Sequence, residues 1–192
     1  MRPITMRRSP RRLLGRFLAL ACLVSALGAC SLSRPAPVKQ SFLLSAERAG
    51  AATSSGMPLA LRVNRFVVAQ PFDGRPLVYR ASDLRFEIDF YNEFLALPAT
   101  MLTERTMRWL GDAKVFSAVV PMTSSLDARH VLEGAVWTMH GDYRNPQAPS
   151  ATLGVRFLLA RDDAAGPTLL DRSFTRTMKV NDRSPERLVA AF

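Results

Sequence analysis

Few side chains of this protein combine the residue types and the spacing that chemistry requires. The sequence holds two cysteines and two histidines. Cys30 follows the tripeptide Leu27-Gly28-Ala29, so an apolar residue and two small residues precede a thiol that can be alkylated. His130 and His140 lie on one predicted strand, where ten extended residues separate them by about 33 Å. Because that distance is too long for a shared ion, we expect no metal site.

The sequence contains no motif that is typical of acid–base or nucleophilic catalysis. It contains no GxSxG elbow, no Walker loop, no GxGxxG turn and no HExxH pair. Asp142 and Asp171 are candidate paired carboxylates, but nothing in their spacing brings them together. We therefore expect no catalytic residues and no cofactor.

The residues before Cys30 have the organisation of an export signal. An apolar run, residues 17–27, follows the charged start, and its 11 residues are too few to span a bilayer, which needs about 20. Residues 1–29 are thus predicted to be a signal peptide that resembles the bacterial lipobox, with Leu27, Gly28 and Ala29 recognised by the signal peptidase. The resemblance implies that Cys30 carries a diacylglycerol thioether; an ordinary signal peptide cleaved nearby is the alternative. The charged start contains Arg2, Arg7, Arg8, Arg11, Arg12 and Arg16.

The segment after Cys30 is predicted to be a tether. Residues 30–39 include Pro35 and Pro37 and few apolar side chains, and such a chain extends to about 30 Å. Position 31 is Ser rather than an acidic residue that would favour retention in the inner membrane, so we expect attachment to the periplasmic side of the outer membrane. Cys22 leaves with the signal peptide, which leaves no pair of cysteines for a disulfide.

The charge of the chain argues against a nucleic-acid partner. The formal net charge is +10, but six arginines belong to the signal peptide. The remaining chain carries 20 basic and 16 acidic residues, and this excess of about +4 is weak for a phosphate-binding surface.

Residues 40–192 are predicted to form a single α/β (α+β) domain, a mostly antiparallel mixed sheet covered by helices. Phe86, Ile88 and Phe90 alternate with polar residues, which predicts a strand with these three side chains in the core. A turn is expected at residues 71–76, where prolines flank Asp-Gly, and a surface loop at residues 47–58. Further strands are predicted at residues 41–44, 59–69, 77–80, 131–140, 152–159 and 169–180.

Two helices complete the prediction. Pro98 suits the first position of a helix that runs to Leu110 and ends at Gly111. Leu102, Trp109 and Leu110, together with Met101, are expected on its buried side, with Glu104, Arg105 and Arg108 outside. Ser184-Pro185 begins a last helix, which is expected to be either very short or truncated.

The combined pattern resembles the ABC-type transport auxiliary lipoproteins over nearly the whole chain after the signal peptide. Where that family carries a longer C-terminal helix, this chain has only residues 185–192. The residues that carry the resemblance are Leu27 to Cys30, Ser41-Phe42-Leu43-Leu44, Leu77-Val78-Tyr79-Arg80, residues 89–99, Trp109-Leu110, Val131-Leu132-Glu133-Gly134 and Gly141-Asp142-Tyr143.

The resemblance implies a non-catalytic periplasmic partner of a lipid-transport system. Its expected partners are a substrate-binding protein with mammalian cell entry domains, the associated ABC permease and the membrane; a homo-oligomer is left open. Candidates for the docking surface are Tyr79, Tyr91, Asn92, Glu93 and Phe94, because amphipathic aromatics at the edge of an element suit an interface. For Phe90 and Phe94, packing beneath the Pro98 helix is the stronger interpretation.

Two other functions stay open at this point. A structural or regulatory outer-membrane lipoprotein that activates an envelope enzyme would share the same lipobox and a similar domain. A lipid-binding module would require an apolar cavity lined by both the sheet and a helix.

Overall fold

The computed structural model describes residues 37–48, 50–52, 56–162 and 168–192. The predicted signal peptide and the proposed lipidation site at Cys30 lie outside these residues. Val38–Phe192 forms one unit. In the ranges that are described, no helix is both long enough and apolar enough to cross a membrane.

The fold is α+β, with a single open mixed sheet, as the sequence predicts. Nine strands and two helices lie within the described ranges. The strands are β1 (Gln40–Phe42), β2 (Met57–Val63), β3 (Val67–Val68), β4 (Pro76–Arg80), β5 (Phe86–Phe94), β6 (Phe116–Pro121), β7 (His130–Asp142), β8 (Ser150–Arg161) and β9 (Thr168–Lys179). The helices are α1 (Pro98–Ala113) and α2 (Pro185–Ala190).

Strand β7 is the centre of the sheet. On one side it pairs with β8 in a twelve-residue antiparallel register, and β8 pairs in turn with β9. On its other side β2, β3 and β4 pair with successive stretches of β7, all in parallel. The long ladders are therefore antiparallel, while the short pairings beside them are parallel.

The remaining strands extend this second side. Strand β6, which the sequence analysis missed, pairs in parallel with β2. Strand β5 pairs antiparallel with β4, and β1 adds to β5 in parallel, with Gln40 opposite Asn92 and Phe42 opposite Phe94. The domain thus begins along the outer edge of β5.

The predicted strand over residues 59–69 is divided in two. Residues 64–66 interrupt it, and the Phe66 side chain within this interruption is buried. The Phe66 backbone N–H donates 2.9 Å to Thr103 Oγ1 of α1 instead of to a neighbouring strand. The structure thus shows a break in the predicted strand, at which Phe66 is buried.

Helix α1 begins at Pro98, as predicted, but its end was predicted wrongly. It continues through Gly111 to Ala113, and Lys114 adopts the left-handed conformation with φ of 53°. Trp109, expected in the core, is 44% exposed, whereas Met101 and Thr103 are buried. The helix contacts β6 and β3, so the direction of its buried face follows from where those strands lie.

Two clusters of apolar side chains form the core. The larger one joins β3, β4, β7 and both helices through residues such as Leu77, Met101, Val136 and Leu188. The smaller one surrounds Phe66. The last helix begins as predicted, with the Ser184 hydroxyl accepting from the Arg187 N–H, and its Leu188 is fully buried.

Candidate functional site

Strand β5 carries most of the predicted docking residues, and Asp89 organises its middle. The Asp89 carboxylate accepts hydrogen bonds from the Tyr79 hydroxyl at 2.6 Å, the Tyr91 N–H at 2.8 Å and the Asn92 N–H at 2.9 Å. The Asn92 side-chain amide donates to it as well. Partial burial works against the charged form, but these donors together hold the pKa of Asp89 below its ordinary value.

Tyr79 is fixed between β5 and the end of β7. Its ring stacks on Tyr143 with 5.0 Å between the ring centroids, while its hydroxyl is bonded to Asp89. Burial, then the hydrogen bond to Asp89, raise the pKa of Tyr79 far above its ordinary value, and burial raises the pKa of Tyr143 to about 12. Both phenols therefore stay protonated at neutral pH, and the half-buried Tyr79 holds the strand in place.

Glu93 and Phe94 point into the domain. The Glu93 carboxylate is buried and forms ion pairs with Lys39 at 2.7 Å and with Arg75. The hydrogen bond from Lys39 and the charge of Arg75 keep the pKa of Glu93 below its ordinary value, against the effect of burial. Phe94 is 4% exposed and lies near Phe192. In this arrangement neither side chain is offered to a partner.

The exposed part of β5 is apolar, which corrects a prediction. Phe86, Ile88 and Phe90 were expected in the core, but they are 39%, 63% and 79% exposed. Strict alternation shows that two faces differ without showing which face the rest of the chain covers. Strand β5 has only β4 and the three-residue β1 as its paired neighbours, and no described element shields Ile88 or Phe90.

We call Ile88, Phe90 and Tyr91 the β5 patch. The Phe90 and Tyr91 rings meet edge to face with 5.1 Å between their centroids, and Tyr91 is 43% exposed. Of the five predicted docking residues, Tyr91 lies in this patch and Asn92 borders it, half-buried. The sequence analysis did not include Ile88 and Phe90 among the docking candidates, because their regular spacing is also typical of a core strand.

The candidate catalytic and metal-binding side chains are kept apart. Asp142 is bonded to Arg144, which holds the pKa of Asp142 low, and Asp171 is bonded to Arg156. His140 is buried and stacks on Phe72, far along β7 from His130. Within the described ranges, no group of three His, Cys, Asp or Glu side chains could hold a metal ion.

The structure thus defines an α+β domain with an exposed apolar strand beside its first strand. No family model matches the sequence, and no curated protein matches it. The fold is similar to two crystal structures. Protein XCC0632 from Xanthomonas campestris, of family DUF330, has a TM-score of 0.67 and 16% identity, with 79% of this chain and 85% of that one covered. A second, titled only as an uncharacterized protein, has a TM-score of 0.60 and 18% identity, with 79% and 87% covered. At these identities the likeness shows a shared fold.

Proposed function

We propose that this chain is a lipid-anchored auxiliary component of an ABC-type lipid-transport system, held on the periplasmic side of the outer membrane. It would act by docking a partner that carries mammalian cell entry domains. The export signal with its terminal Cys30 supports the location, and the sequence resemblance supports the class of system. The observation that carries the docking role is the β5 patch.

The β5 patch has the chemistry of an interaction surface. Apolar side chains that are exposed together on one element mark interaction sites more often than isolated ones do. Aromatic residues are also enriched where protein partners meet. Phe90, at 79% exposure, contributes nothing to the core of this chain, so its large apolar area is available to a partner.

The position of β1 places the β5 patch near the proposed tether. Strand β1 runs parallel to β5 and begins at Gln40, opposite Asn92. The chain therefore enters the domain one or two residues from Phe90 and Tyr91. A lipid on Cys30 would hold this edge of the sheet at the end of a tether about 30 Å long, from which it could meet a conduit arriving at the membrane.

The test is crosslinking in native membranes followed by capture of the full-length tagged chain and identification of its partners by mass spectrometry. The double variant Ile88→Ser/Phe90→Ser removes the apolar area without touching the core. A hot-spot side chain at an interface contributes about 2 kcal/mol or more, so we expect at least about a tenfold loss of captured partner. Met178→Ser, at another exposed apolar position, on β9, is the matched control and should leave capture unchanged.

The identity of the captured protein decides between the functions. A mammalian cell entry domain protein or its permease, lost with the double variant and weakened by Cys30→Ala, would support the proposal. Capture of a cell-wall synthase would favour the regulatory lipoprotein instead. Capture of no transporter component at all would contradict the proposal.

A further inference from the structure

A cleft with an apolar lining runs between α1 and the sheet. Its volume is about 600 Å³, which is within the range of small-molecule sites in proteins. Leu102, Thr106 and Trp109 line it from the helix. Phe157, Leu170 and Phe174 are among the side chains that line it from β8 and β9. It therefore has walls from both a helix and a sheet, and we call it the α1 cleft.

The charge in and beside the α1 cleft is positive. Arg105 is the one charged side chain in its lining. In the part of the chain that the structure describes, Arg105 has no ion-pair partner. It is half-buried, which is typical of an arginine whose stem covers apolar surface while its charge stays near water.

A second guanidinium lies against Trp109, one of the residues that line the cleft. The Arg48 side chain sits over the ring of Trp109, 5.5 Å from the ring centroid, and its Nη1 donates 2.7 Å to the Gly50 carbonyl. Its Nε is buried and has no hydrogen-bond partner among the described residues. An anionic group beside Trp109 would interact with the positive charges of both Arg48 and Arg105.

We propose that the α1 cleft binds a long fatty acyl chain whose acidic head group, a carboxylate or a phosphate, lies between Arg105 and Arg48. An apolar lining that includes Arg105, with Arg48 stacked on its Trp109, matches an anionic amphiphile. The lining of the cleft shares no residue with the β5 patch. The binding site is therefore independent of the proposed docking role, and either can fail without the other.

The experiment uses palmitic acid carrying a photoreactive diazirine in its chain. The full-length protein is irradiated with it in native membranes, and labelled peptides are identified by mass spectrometry. Label is expected on peptides of α1 or of β8 and β9, and an excess of unmodified palmitate should remove it. Label confined to other parts of the chain would overturn the proposal.

Two variants and one control test the cleft itself. Arg105→Glu reverses the charge that faces the head group and should lower labelling at least about tenfold. Thr106→Trp fills the cleft from the helix and should also lower it. Arg108→Glu changes an exposed arginine on the same helix and should leave labelling unchanged. Melting curves of all three variants establish that they are folded.

Two further labelling experiments identify the source of the acyl chain. Phosphatidylglycerol with the same photoreactive chain distinguishes a phospholipid from a free fatty acid. A rise in labelling in Cys30→Ala would show that the protein's own anchor competes for the cleft, which also supports an acyl site.

Labelling that neither Arg105→Glu nor Thr106→Trp changes would overturn the proposal. Crosslinks that join the cleft peptides of two copies, without fatty-acid label, would overturn it in favour of self-association.

Discussion

At the scale of single residues, His140 is a titratable side chain in a buried, aromatic setting. It is 5% exposed, its ring stacks on Phe72 at 5.8 Å, and Phe86 meets it edge-on at 5.5 Å. Its Nδ1 lies 2.7 Å from the Thr138 hydroxyl. Burial lowers the pKa of His140, and the charges of Arg80 and Arg144 act in the same direction against the opposing effect of Asp142.

This lowered pKa predicts a pH dependence of stability. The unfolded chain takes up a proton at His140 near pH 6.5, whereas the folded chain takes it up only at lower pH. The stabilisation is therefore complete above about pH 6.5 and is lost as pH falls through the folded pKa. We expect the melting temperature of the wild type to fall over this range. In His140→Gln the fall should be shallower, while His130→Gln should keep the wild-type slope; equal slopes in all three would contradict the prediction.

Two glycines give opposite predictions for the same substitution. A Cβ at Gly134 would lie 2.6 Å from the ring of Phe66, whereas a Cβ at Gly111, inside α1, meets nothing within 4 Å. Gly134→Ala should destabilise the fold by about 1–3 kcal/mol, because the Phe66 ring must move. Gly111→Ala should stabilise it by about 0.5–1 kcal/mol. Urea unfolding measures both, and a neutral Gly134→Ala would show that the ring moves freely.

At the scale of elements, α1 is tied to the sheet by one buried hydroxyl. Thr103 Oγ1 accepts from the Phe66 N–H at 2.9 Å and donates to the Ala99 carbonyl at 2.6 Å. The Phe66 N–H, which lies in the interruption between β2 and β3, is thus hydrogen-bonded to the helix. Neither partner could be inferred from the sequence, because the residues are 37 positions apart.

The hydroxyl of Thr103 predicts a measurable coupling between α1 and the β2–β3 break. Thr103→Val keeps the shape of the side chain but leaves the Phe66 N–H buried and unpaired, which should lower stability by about 1–3 kcal/mol. Thr100→Val, one turn earlier, makes the same change at a hydroxyl with no hydrogen bond to the described residues and should cost much less. Urea unfolding of the two variants, with hydrogen exchange at Phe66, provides the measurement. Equal stability of the two would show that the bond contributes nothing.

At the scale of the whole molecule, α2 completes the larger core. Its Leu188 is 0% exposed, and its methyl carbons lie 3.1–3.2 Å from where a Cβ on Gly141 of β7 would be. Val189 and Phe192 add to the same cluster. A helix of six residues would not be stable in water by itself, so its burial against β7 and β8 holds it in place.

Removal of the Leu188 side chain should therefore affect the whole fold. Leu188→Ala leaves a cavity in the larger core, and such changes cost about 2–5 kcal/mol. Arg187→Ala, exposed on the same helix, should change stability by less than about 0.5 kcal/mol. Thermal unfolding compares them. A small effect of Leu188→Ala would mean that α2 packs only loosely on the sheet.

The sequence by itself determined the elements whose signals are local. Pro98 and Ser184-Pro185 set the starts of the two helices, because proline fixes φ and the serine side chain accepts a backbone N–H. The three long strands, β7, β8 and β9, followed from runs of apolar and β-branched residues between turns. The α+β class followed from these elements together.

Only the tertiary structure decided which faces are covered. The alternation of Phe86, Ile88 and Phe90 is the same whether that side meets a helix or solvent. Ile88 and Phe90 meet solvent, whereas Phe86 packs partly on His140. Trp109 was expected in the core for the same reason, yet it lies at the α1 cleft beside Arg48. Periodicity reports that two sides of an element differ, whereas burial depends on which distant segments pack there. The β5 patch and the α1 cleft therefore appear only once the sheet is assembled.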